Sequence, residues 1–160
     1  MTGRGRRLAT EFAEADQSPG LLLWQVTNRW QAAQRAALRP LGLTHVQFVL
    51  LASLTWLRDG GTVNQRDLAD HAVTDPMMTS QVLRVLEGRG LVERNDDPDD
   101  RRARSVTVTR EGRALANRAV VVVEACDRGF FGSLEDEPGF VRALQGLRSA
   151  WDPAADRSGR

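Results

Sequence analysis

Residues 96–109, "DDPDDRRARSVTVT", run from acids and a proline through Arg101, Arg102 and Arg104 into an alternating tail. A guanidinium is a planar, permanently charged fork that pairs with phosphates, carboxylates and guanine. A second set of recognition-competent side chains lies upstream in "DPMMTSQVLRVLE", residues 75–87. Gln81 suits bidentate pairing with adenine and Arg84 with guanine, while Met77 and Met78 can touch thymine methyls. Chemistry of other kinds finds no foothold. There is no nucleophile–base pair, glycine-rich phosphate loop or paired-carboxylate site, and the acids of "DDPDD" have no catalytic partners. His45 and His71 form no spaced ligand set with a cysteine or an acid cluster, so neither a metal nor a cofactor is expected. The single cysteine, Cys126, excludes an internal disulfide and is compatible with a reducing cytoplasm.

These side chains need a frame, and hydropathy patterning supplies one. Leu22, Val26, Trp30, Ala33 and Ala37 recur at helical spacing over residues 19–39, and Pro40 and Gly42 stop that helix. Thr44 and Gln47 have the spacing of a capping box for a second helix, whose apolar face carries Leu50, Leu51, Leu54 and Leu57 and which "RDGG" ends at 58–61. "TVNQRDLADHA" reads as two extended residues and a short helix capped by Asn64, with Asp67 in its first turn. Asp75 and Pro76 then open a helix that Gly90 ends. One face of it holds Thr79, Val82, Leu83 and Leu86; the other holds Met77, Met78, Gln81, Arg84 and Val85 and is free of acids. "LVERN" and "RSVTVT" read as strands, with Val106 and Val108 opposite Ser105, Thr107 and Thr109. "DDPDDR" between them is a turn, so the arginines crowd the tip of a two-stranded hairpin and like charges coexist in solvent. Thr109 caps a long helix over 110–131, where the β-branched run at 120–123 yields to alanine-rich flanks. Phe140, Leu144, Leu147 and Trp151 mark a final amphipathic helix.

The predicted fold class is therefore mainly α with a small β-hairpin wing: a winged helix-turn-helix lobe over 44–109. Residues 19–43 and 110–151 flank it as helices whose apolar stripes exceed what one small lobe covers, and so favour a homodimer. Residues 1–18 and 152–160 read as flexible ends. The chain has 160 residues, one domain's worth, and a formal net charge of only +1, so global charge does not announce a polyanionic partner. All 22 basic residues are arginine, a usage that genomic base composition would equally produce. No apolar run approaches the roughly 18 residues of a membrane span, and the basic N-terminus lacks the apolar stretch of a signal peptide, so a cytoplasmic protein without a membrane partner is expected.

With these elements in order, residues 43–113 resemble the DNA-binding lobe of the MarR family of bacterial transcriptional regulators. The matching pieces are "GLTHVQFVLL", "RDLAD", "LEGRGLVER" and above all "DPDDRRARSVTVTREG". The family's wing signature falls on Asp100 and Arg102, followed by Val106, Val108, Thr109 and Gly112. The resemblance implies a homodimer on double-stranded DNA. Its recognition helices would enter successive major grooves and its wings the flanking minor grooves, with a pseudo-palindromic operator under repression. By the same resemblance Arg102 is the wing arginine, with Arg101 and Arg104 as phosphate neighbours, and Gln81 takes the central base-reading position. Asp100 could orient Arg102 through a charge-assisted hydrogen bond. Pro76, Met77, Met78, Ser80 and Arg84 complete the expected DNA-binding set, and Asn64 is a phosphate-contact candidate. "DPMMTS" departs from the Ser, Thr or Lys usual at the helix start and places an acid, Asp75, near the phosphates.

Many relatives bind small phenolic or lipophilic effectors between the dimer helices and the DNA lobe. Here Trp24, Trp30, Phe48 and Trp56 are the candidates to line such a cavity; packing in the core and the dimer is the favoured account of them. Two other functions compete. A winged helix can serve as a protein–protein docking module, which the mild net charge favours. A redox-responsive regulator could act through Cys126. Redox sensors of the family, however, carry their cysteine near the first helix's start, whereas Cys126 sits between Val122 and Phe130 on an apolar stripe.

Overall fold

The computed structural model describes residues 8–57, 61–96 and 104–151. It contains α1 (Pro19–Leu38), α2 (His45–Trp56), β1 (Val63–Asn64), α3 (Gln65–Ala72), α4 (Pro76–Gly88), β2 (Val92–Asp96), β3 (Arg104–Val108), α5 (Arg110–Phe131) and α6 (Glu137–Ala150). The chain divides after Cys126 into two compact units.

Helix starts are written locally. Ser18 accepts from Leu21 N, with Pro19 in the first turn of α1. Thr44 and Gln47 close the reciprocal capping box at α2. Asn64 accepts from Arg66 N at 2.8 Å, and Asp75 from Met78 N at 2.9 Å. Each cap satisfies a donor that the helix itself leaves orphaned. Two short 3-10 turns, Ala15–Gln17 and Arg39–Leu41, were not foreseen. The first falls where only a loose end was expected; Glu14 and Gln17 cap it reciprocally. Helix α2 ends at Trp56 with Leu57 as its C-cap, and 58–60 of the expected terminator lie outside the described residues.

The first unit is built on one apolar core. Leu50, Leu51 and Leu54 of α2 and Leu68 of α3 meet Leu83 and Leu86 of α4, Val92 and Val106 of the sheet, and Leu115 and Ala119 of α5. Burying each leucine contributes about 1.5–3 kcal/mol. The sheet corrects the expected two-stranded hairpin: it has three antiparallel strands in the order β1-β3-β2. Val63 pairs with Val106 and Asn64 with Ser105, while Val92, Arg94 and Asp96 pair with Val108, Val106 and Arg104. β3 is thus central, and Ser105, expected opposite the valines, is buried with them. Helix α1 also departs from its stripe. Leu22 and Val26 are exposed, and its fully buried residues are Gln34 and Leu38.

The join between wing and α5 explains the Thr-x-x-Gly spacing. Thr109 Oγ1 donates to the Gly90 carbonyl at 2.7 Å and accepts from Gly112 N at 3.0 Å. A Cβ at Gly112 would collide with the Leu91 carbonyl. Only glycine lets the helix approach the Leu91 backbone, just ahead of β2, so closely.

The second unit holds the end of α5 and α6. Phe131 stacks against Phe130 and Phe140, with ring centroids 5.1 and 5.7 Å away. Asp136 caps α6 by accepting from Gly139 N at 2.9 Å. No residue of α6 is buried; Val141, Leu144, Leu147 and Trp151 stay exposed.

Candidate nucleic-acid interface

Helix α4 divides into the two faces its spacing predicts. Thr79, Leu83 and Leu86 are buried, whereas Met77, Met78, Gln81, Arg84 and Val85 are exposed. Thr79 is polar yet fully buried because its hydroxyl is satisfied. It donates to the Asp75 carbonyl at 2.8 Å and lies 2.8 Å from Thr74 Oγ1. The Thr74 amide in turn donates to the Ala69 carbonyl at 2.9 Å, clamping the turn between α3 and α4. Val73 in this turn sits at φ +51° and is 84% exposed, a left-handed conformation unfavourable to a β-branched residue.

The far end of α4 is fixed by a residue that periodicity does not single out. Arg89 Nη1 donates to the Gly42 carbonyl at 2.9 Å and to Gln47 Oε1 at 3.4 Å, tying the end of α4 to the start of α2.

The remaining expected contacts are placed unevenly. Pro76 lies exposed in the first turn of α4, where the Asp75 carboxylate already caps the helix. Ser80 is half-buried, with Oγ 3.5 Å from Arg94 Nη2 on the wing side. Asn64 spends its side-chain oxygen on the α3 cap. Arg104 is exposed beside Asp96 at 3.2 Å, across the last described pair of the hairpin. Asp100, Arg101 and Arg102, with the rest of 97–103, lie outside the described residues.

The aromatic candidates are not gathered. Phe48 belongs to the core, Trp30 is half-buried with its ring edge-on to His45 at 5.0 Å, and Trp24 and Trp56 are exposed. The chain by itself therefore does not enclose all four. An open groove of about 620 Å³ runs behind the wing, lined by polar residues including Glu87, Glu93, Arg94, Arg110 and Glu111 and by no aromatic ring. Cys126 is half-buried in α5. Among the described residues no three His, Cys, Asp or Glu side chains group to hold a metal, and no single helix is long and apolar enough to cross a membrane.

This arrangement, a helix-turn-helix with a three-stranded antiparallel sheet, belongs to a fold shared with known proteins. The MarR family model matches residues 43–103. An uncharacterized HTH-type transcriptional regulator of Bacillus subtilis, YdcH, is 40% identical over 139 residues, covering 86% of this chain and 95% of that protein. The chain belongs to the MarR family. The HTH-type transcriptional repressor Rv2887 of Mycobacterium tuberculosis is 38% identical across 84% of this chain and 97% of its own length. The crystal structure of Rv2887 with salicylic acid superposes with a TM-score of 0.65, covering 84% of this chain and 99% of that one. A mutant Escherichia coli MarR with operator DNA superposes at 0.70, with 25% identity, 82% of this chain and 92% of that one covered. As a MarR-family regulator, this chain carries the family's DNA-binding winged helix.

Proposed function

We propose that the chain is a homodimeric transcriptional repressor, working in the cytoplasm, that reads a pseudo-palindromic operator and releases it on binding a small aromatic or lipophilic molecule. The observation that carries the reading is the exposed, acid-free strip of α4 along Met77, Met78, Gln81, Arg84 and Val85. Gln81 and Arg84 offer bidentate donors to base edges, and the methionines offer apolar contact to thymine methyls. Pro76 stands at the leading end of that strip. Arg101, Arg102 and Arg104 serve the wing, where arginine in a narrow minor groove meets enhanced negative potential. Asp100 orients Arg102.

The exposed apolar residues of α1 and α6 supply the surface for a second copy. The effector reading rests on Trp30 beside His45 and on the salicylic acid bound by Rv2887. Trp24 and Trp56, exposed in one chain, would join such a site only if a second copy covered them. Cys126 is read as a packing residue, with no metal, cofactor or catalysis involved.

Selection of bound duplexes from a random pool tests this directly. A palindromic consensus is expected, with affinity falling about 10³–10⁵-fold between roughly 50 and 200 mM salt for six to ten phosphate contacts. Absence of any selected sequence would favour a docking module. Peroxide-induced release that disappears in Cys126→Ser would favour the redox reading.

A further inference from the structure

Arg94 is the most enclosed of the described cations in the winged-helix lobe, its side chain only 10% exposed. It stands on β2 opposite Val106 of the central strand. From there its guanidinium reaches three places. Nη2 donates to Oε1 of Gln65, the first residue of α3, at 3.0 Å, and approaches Ser80 Oγ in α4 at 3.5 Å. Nη1 lies 3.7 Å from Glu87 Oε2, two turns further along α4. The fork thus touches both helices of the helix-turn-helix from the strand that leads into the wing.

The remaining donor is informative. Nε of Arg94 is buried and has no hydrogen-bond partner among the described residues. A desolvated donor left unpaired lowers stability, so an apolar side chain of similar volume would serve the core better. What the arginine supplies is placement, because a planar fork fixes several partners at defined angles where an ammonium would not.

We propose that Arg94 is a positioning residue that sets the recognition helix against the wing and thereby governs operator discrimination without touching DNA. The inference rests on the DNA-reading function proposed above. A helix in the major groove and a wing in the adjacent minor groove read one site only if their separation matches that of the grooves. Ser80, one of the residues expected at the DNA, is assigned to this internal link.

The test uses the full-length chain, its selected operator and a scrambled duplex of equal length. Arg94→Met is assayed well below its own thermal midpoint. The ratio of operator to scrambled affinity is expected to fall about tenfold or more, the scale of one disrupted base pair. The slope of log affinity against log salt should stay that of the wild type, since no phosphate contact is lost. A slope reduced by about one would make Arg94 a phosphate ligand and overturn the proposal, as would an unchanged ratio. Should Arg94→Met fail to fold, Gln65→Leu removes the shortest link while leaving Glu87 in place. A fall of about threefold in the same ratio supports the proposal, and an unchanged ratio overturns it. A wild-type chain that selects no operator overturns both readings; one that does, beside variants that keep its ratio, overturns this one alone.

Discussion

Helices α2 and α6 both carry an apolar stripe but put it to opposite ends. Phe48, Leu50, Leu51 and Leu54 of α2 are buried within the chain, whereas α6 leaves Val141, Leu144, Leu147 and Trp151 exposed. An apolar stripe states only that a face avoids water, not what covers it. For α2 the cover is the rest of the winged-helix lobe. For α6 the proposed cover is a second copy of the chain, and the two helices should respond differently to the same kind of damage.

The largest expected effect is in α2. Leu54→Ala should cost about 2–5 kcal/mol of unfolding free energy, since it removes a fully buried side chain and leaves a cavity. Leu147→Asp should leave helix content intact and shift the monomer–dimer equilibrium toward monomer. Urea titration of the first variant and sedimentation of both separate the cases. If Leu147→Asp unfolded the chain as severely as Leu54→Ala without changing association, the contrast between the helices would be wrong.

The two faces of α4 offer the next comparison. Gln81→Ala, on the exposed face, should relax preference at one base pair per half-site by roughly 1–3 kcal/mol and leave thermal stability within about 0.5 kcal/mol. Binding to a panel of single-base operator variants checks it. Preferences intact at every position would mean that another face of α4 meets the bases.

Smaller still is the turn that orients that helix. Val73 is held at φ +51° with its side chain in solvent. Asparagine tolerates this region, so Val73→Asn should stabilise the fold by about 0.5–1 kcal/mol, read as a raised thermal midpoint. A lowered midpoint would show that the exposed valine contributes something the backbone geometry does not reveal. The smallest effect belongs to the Asp96–Arg104 pair, both of whose side chains are mostly exposed. Asp96→Ala should change stability by less than about 1 kcal/mol, in contrast to the enclosed guanidinium of Arg94 on the same strand. A double-mutant cycle with Arg104→Ala measures the coupling.

Much of the frame was legible in the residues themselves. The caps at Thr44, Asn64, Asp75 and Thr109 were readable because each closes a loop of two to four residues, as were both faces of α4 and the bounds of α5. Such interactions depend on sequence neighbours alone, so type and spacing suffice. The exposed half of the candidate site, Met77, Met78, Gln81 and Arg84, followed from that same periodicity.

Packing decided the rest. The extended residues before α3 were legible but their partner was not: β1 joins the sheet because Val63 and Asn64 meet β3 across the fold. Whether an aromatic residue is core or surface depends on what arrives to cover it, which is why Phe48 is buried and Trp56 exposed on one helix. The need for glycine at position 112 was visible as a motif, but its cause, the Leu91 carbonyl, came from a segment distant in the chain. Arg94 is the sharpest case. By composition it is one more charged residue on a strand, and its hydrogen-bond partner Gln65 lies 29 residues away in the chain. Local propensity determined the helices, the hairpin strands and which α4 face is exposed; only the tertiary structure, by bringing distant groups within hydrogen-bond reach, decided which arginine is surface charge and which is a fastening inside the lobe.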